Sequence, residues 1–91
     1  MRYKLYYTAT TPKQINQVFI TIMTDQQHFR DSILETEDRI IVQYVRRAPE
    51  SKISKTKLVD FILYVHFSKK DKVFTKICIY KLEENQNETT K

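Results

Sequence analysis

The chain contains no glycine. Glycine enters positive-φ backbone at no steric cost, so every turn here must rely on hydroxyl, amide and carboxylate side chains or on longer polar loops. Tight two-residue hairpins of the Asn-Gly type are disfavoured. The same absence removes two classes of function. A phosphate-binding P-loop and a dinucleotide-binding fingerprint both need glycine where the backbone approaches phosphate. Alanine is scarce as well, at Ala9 and Ala48 only, beside many Lys, Ile, Asn, Tyr and Phe. That usage suits a genome biased to A and T, a bias shared by many small phage and plasmid proteins.

Within this frame one helix is signalled. Thr11-Pro12-Lys13-Gln14 combines a capping hydroxyl, a proline at the first helical position and a Gln three residues after the cap, which is a capping box with its favoured proline. Ile15, Val18, Phe19, Ile22 and Met23 follow at helical spacing as one apolar stripe. The spacing predicts a helix over residues 12–27, against the pull of the β-branched residues in VFITIMT toward strand.

Elsewhere the period is two, the signature of strands. Residues 2–9 alternate, with Tyr3, Leu5, Tyr7 and Ala9 on one side and Arg2, Lys4, Tyr6 and Thr8 on the other. Ser32 to Thr36 reads as a short strand turned by Glu37-Asp38, and residues 39–45 as a longer one. In DFILYVHF the alternate positions Val59, Phe61, Leu63, Val65 and Phe67 are all apolar. A helical stripe of Leu58, Phe61, Ile62 and Val65 fits the same stretch, but the β-branched and aromatic content favours a strand. Residues 73–82 alternate after the charged turn 68–72, and residues 46–57, polar, basic and containing Pro49, read as a loop.

The expected fold is α+β: one helix laid across a four- to five-stranded antiparallel sheet in the order β-α-(β)-β-β-β, forming a single domain over residues 1–83 with a polar, frayed tail at 84–91. A helix over 50–66 would give the alternative, a ferredoxin-like βαββαβ order. Charged residues break every apolar run well short of the roughly 18 residues that cross a membrane. Residues 1–11 lack the apolar core of a secretory signal. Cys78 is the one cysteine, which excludes an intrachain disulfide and a cysteine-rich zinc site. These features together point to a cytoplasmic protein without a cofactor.

With one helix, one sheet face is covered and the other meets solvent or a partner. Strict alternation assigns Tyr3, Leu5, Tyr7, Val59, Phe61, Leu63, Val65, Phe67, Val73, Ile77 and Ile79 to the helix side. The opposite face then holds Arg2, Lys4, Tyr6, Thr8, Ile62, Tyr64, His66, Phe74, Lys76, Cys78 and Tyr80. That set is aromatic and basic. The chain carries 16 basic against 11 acidic residues, a net charge of +5, and the basic ones gather in Arg46, Arg47, Lys52, Lys55 and Lys57 and in Lys69, Lys70 and Lys72.

Three readings of this face follow. Tyr6, Tyr64, Phe74 and Tyr80 can stack nucleic-acid bases while Arg2, Lys4 and Lys76 meet phosphates, with His66 beside Tyr64 on the same binding face and Arg46, Arg47, Lys52, Lys55, Lys57, Lys69 and Lys70 in the loops. The same composition suits a protein interface, either a sheet-to-sheet homodimer or an inhibitor or adaptor docked on another protein. Alternatively, the loop 46–57 or the tail folds over the face. Charge favours nucleic acid, DNA or RNA, as the partner.

Nothing in the sequence assembles a catalytic site. His28 reads as a cation near the helix C-terminus, His66 as a face residue, and Cys78 as a packing residue with no base beside it. The element order resembles the RelE/ParE toxin fold, whose ribonuclease members use Arg, Lys, His and Tyr on the sheet. The helical segment is shorter here than that family's two-helix hairpin and no motif residue matches, so no catalytic residue is carried over. The expected function is a small, basic, non-enzymatic nucleic-acid-binding accessory or regulatory protein.

Overall fold

The computed structural model describes residues 2–47 and 59–83. The elements run β1 (Arg2–Ala9), α1 (Pro12–Thr24), β2 (His28–Glu35), β3 (Arg39–Arg47), β4 (Val59–Ser68) and β5 (Val73–Glu83). All five strands form one antiparallel sheet in the order β1-β5-β4-β3-β2. The helix therefore links the two edge strands and covers one face, which is the expected one-helix α+β architecture. Because residues 59–68 are a strand, the βαββαβ alternative does not hold; residues 48–58 and 84–91 lie outside the described residues.

The helix starts where its cap predicts. Thr11 Oγ1 accepts from the Gln14 N–H at 3.2 Å, and Gln14 Oε1 accepts from the N–H groups of Thr10 and Thr11 at 3.0 and 3.2 Å, so orphan donors of the first turn are satisfied reciprocally. It ends at Thr24, three residues earlier than the stripe suggests. Asp25 adopts an extended conformation and its side chain accepts from the Gln27 N–H at 2.9 Å. That local Asx turn competes with helical bonding and wins. Residues 25–27, which looked like a helix tail, thus become the turn that leads into β2, and Met23 is left 80% exposed rather than in the core.

Turns without glycine are closed by side chains. Thr36 Oγ1 accepts from the N–H groups of Asp38 and Arg39 between β2 and β3, and Ser68 Oγ accepts from the Asp71 N–H between β4 and β5. In the second turn Lys72 takes φ 58°, a conformation that costs a side-chain-bearing residue roughly 1 kcal/mol.

The core lies between helix and sheet. Ile15 and Val18 meet Ala9, Leu63, Val65 and Ile77, with Phe19, Ile22, Val42, Tyr44, Phe61 and Ile79 packed around them. Each fully buried aliphatic side chain contributes about 1.5–3 kcal/mol.

Every ladder carries one extra residue: Tyr6 in β1, Asp31 in β2, Asp60 in β4 and Thr75 in β5. Such a bulge turns every side chain beyond it to the other face, and this corrects the alternation read from sequence. Tyr7 and Ala9 stay on the helix side, opposite Ile79 and Ile77, but Tyr3 and Leu5 pair with Leu82 and Tyr80 on the open face. Lys4, opposite Lys81, and Tyr6, edge-on to Phe61 at 5.6 Å, move to the helix side. At the start of β5, Phe74 packs against Phe19 and Phe67 at 4.8 and 5.0 Å on the helix side, while Val73 turns away and is half exposed.

Candidate nucleic-acid interface

The bulges divide the basic and aromatic residues between two faces. Tyr64, His66, Lys76 and Tyr80, which alternation places together, do share the open face: Tyr64 pairs with Cys78 and His66 with Lys76 across the β4–β5 ladder. Tyr64 and Tyr80 meet edge to face, with centroids 5.8 Å apart. Around them lies an open depression of about 400 Å³ spanning four strands, lined by Ser32, Leu34, Ile41, Gln43, Tyr64, His66, Lys76, Cys78 and Tyr80. The only helix among the described residues packs on the other side, so no described element covers this depression.

Arg39 is an additional member that alternation from the acidic middle segment did not reveal. It opens β3 opposite Ser68, and its Nη1 lies 3.5 Å from His66 Nδ1. A guanidinium only donates, so His66 Nδ1 is the acceptor in this contact. Among the described residues, neither Arg39 nor Lys76 forms an ion pair. The His66 imidazole is held below its ordinary value of 6.5, first by burial and then by the charges of Lys76 and Arg39, each of which disfavours a third positive charge. Asp31, the bulged residue of β2, accepts a hydrogen bond from Gln43 Nε2 at 2.9 Å.

The other sequence candidates are placed differently. Arg46 is the last-but-one residue of β3 rather than a loop residue, and it lies on the helix side. Its Nε donates to Asp25 Oδ2 at 2.9 Å and its Nη1 to Asp60 Oδ2. Asp25 is held below the usual carboxylate range by the Arg46 hydrogen bond and by the Gln27 N–H, and Arg46 is raised in turn by Asp25. The His28 ring is buried beside this pair, with Nδ1 3.3 Å from the Asp25 carbonyl oxygen and 3.7 Å from Asp25 Oδ2. His28 begins β2, with its ring against Asp25, the residue that ends the helix.

Arg47 is exposed at the end of β3, its backbone N–H donating to the Gln27 carbonyl at 3.0 Å. Lys69 Nζ pairs with Glu35 Oε2 at 2.8 Å and also donates to the Thr36 carbonyl, and it holds the Glu35 carboxyl below its usual range. Lys70 is exposed in the following turn. Lys52, Lys55 and Lys57 lie outside the described residues. Lys4, Tyr6 and Phe74 belong to the helix side, where Lys81 sits over the rings of Tyr6 and Phe61 at 5.5 and 6.0 Å.

The arrangement offers two aromatic rings next to a cluster of basic side chains that have no carboxylate partner among the described residues. Chemically it can take a planar ring by stacking and an anion by charge. Comparison with protein-family models, curated proteins and solved structures gives no match for this chain.

Proposed function

We propose that the protein binds single-stranded nucleic acid across the open sheet face, without catalysing a reaction on it. The observation that supports this is the juxtaposition of the Tyr64–Tyr80 pair with Arg39, His66 and Lys76, basic groups with no ion-pair partner among the described residues. Base stacking on an aromatic side chain contributes about 1–3 kcal/mol per base, and adjacent cations track the phosphates. Lys70 and Arg47, both exposed, extend the positive field beyond the depression. Fluorescence anisotropy with a labelled oligothymidylate and an oligouridylate, at low salt and then at rising salt, is the test. Binding that weakens linearly on a log–log salt plot is expected; no binding to either strand at low salt overturns the reading.

A second reading rests on the other half of the same face. Leu5 and Phe29 are about half exposed there, and they neighbour Tyr80 and Val45 in the ladders. A protein partner, including a second copy packed sheet to sheet, would bury this apolar end. The bulges at Tyr6 and Asp31 interrupt both edge strands and so favour contact through the face over strand addition. Light scattering distinguishes the two: a dimer that excludes oligonucleotide supports the second reading.

A further inference from the structure

Arg39, His66 and Lys76 come from three neighbouring strands and meet at one end of the open face. Arg39 enters from β3, within 3.5 Å of the imidazole, and Lys76 stands directly across from His66 on β5. Side chains directly opposite in an antiparallel pair have Cβ atoms about 4.5–5.5 Å apart, so the three basic groups can reach one anion. The other titratable groups lining the depression are Tyr64 on β4 itself and Cys78 and Tyr80 on β5; beside it Asp31 on β2 is engaged by Gln43. Glu35, at the same end of β2, is held by Lys69. No described carboxylate pairs with the cluster.

We infer that Arg39, His66 and Lys76 form a single phosphate seat, and that filling it drives a proton onto His66. The inference rests on the nucleic-acid reading above and names how that site is regulated. In the free protein burial, and after it the charges of Lys76 and Arg39, favour the neutral imidazole. A phosphate between the three groups reverses the local field and supplies an acceptor for an imidazolium N–H. Binding then takes up a proton, so affinity rises as pH falls. The proton comes from solvent, and no covalent bond changes.

The test follows the imidazole signals of His66 by NMR from pH 5 to 8. It compares free protein, protein with an oligothymidylate lacking terminal phosphates, and protein with sodium sulfate against sodium chloride at equal ionic strength. Neither probe titrates in this range. His28, buried on the opposite side, is the internal reference. The expected result with oligonucleotide is a rise of about one pKa unit at His66, equivalent to a tenfold gain in affinity across the titration. That gain is lost in His66→Gln, which still binds at pH 8. Oligonucleotide binding with an unmoved His66 overturns the seat and leaves strand binding standing. No oligonucleotide binding, with sulfate raising the His66 pKa, keeps the seat as an anion site and overturns strand binding. If neither probe binds, both fall.

Discussion

Arg39 and Arg46 stand near the two ends of one strand, and β3 turns them to opposite faces. Arg46 faces the helix and is matched by Asp25 and Asp60; it ties the end of α1 to the sheet. Arg39 faces outward toward a histidine and a lysine, and no described carboxylate pairs with it. The same residue type therefore serves architecture at one end and is left available at the other. What separates them is the company they keep, since a guanidinium's charge is fixed in both settings.

The largest test of this contrast is Arg46→Met. It leaves Asp60 and Asp25 without this cation, and among the described residues Asp60 Oδ1 has no hydrogen-bond partner to begin with. A loss of about 2–3 kcal/mol in urea unfolding is expected, somewhat below the cost of breaking a fully buried pair. Oligonucleotide affinity of the folded protein should be unchanged. The contrast breaks if Arg46→Met weakens binding and leaves stability intact.

The aromatic residues sharpen it further. Tyr64→Ala and Tyr80→Ala should each weaken oligothymidylate binding by about 1–3 kcal/mol in anisotropy titrations. Tyr6→Ala, on the helix side, should leave that affinity alone. Equal losses at Tyr6 and Tyr64 would show that the two faces are not distinct in function. On the architectural side, Thr11→Ala removes the helix cap and should cost about 1 kcal/mol by thermal or urea unfolding, with affinity retained.

Arg39→Met carries a smaller structural effect, within about 0.5 kcal/mol of wild-type stability as for other surface substitutions. Its signature is in binding, where the slope of log affinity against log salt should fall by about 1. The smallest effect concerns pH. His66 titrates below 6.5 in the folded chain, so on acidification the unfolded chain takes the proton first. Stability is then retained above that pH and lost as pH falls below it. His66→Gln should flatten this part of the urea-midpoint profile. The loss that follows at lower pH, as the depressed carboxyls of Asp25 and Glu35 protonate, should remain.

Much of the fold was legible because its signals are local. The Thr11–Gln14 cap is written in adjacent residues, and the alternation in residues 59–67 and 73–82 needs no tertiary knowledge to be seen. The faces were less legible. Alternation assumes a ladder without insertions, and one extra residue at Tyr6 or Thr75 exchanges everything beyond it. Tyr6, Lys4 and Phe74 were misassigned for that reason, while Tyr64, His66, Lys76 and Tyr80, between the bulges, were placed together correctly. The start of β2 was hidden because an edge strand has no continuous apolar face, and because Asp25 ends the helix through a turn its side chain creates. Arg39 was obscured by the acidic residues before it, although its parity with Ile41 and Gln43 along β3 would have placed it on the open face.

The sheet order also has a consequence in time. β1 is the earliest described strand to be synthesised, and β5, its only neighbour among the described strands, is the last of them. Until β5 arrives, β1 has no ladder to join, and Ile15 and Val18 lack Ile77 beneath them. The chain must hold its first strand and the apolar side of its helix in waiting while the β2–β3–β4 meander forms. Pairings this distant in sequence slow folding. Completion of β5 is thus the event that commits the sheet, and the residues that line the open face assemble with it: Lys76 and Tyr80 reach their places beside Arg39, Tyr64 and His66 only at that last step.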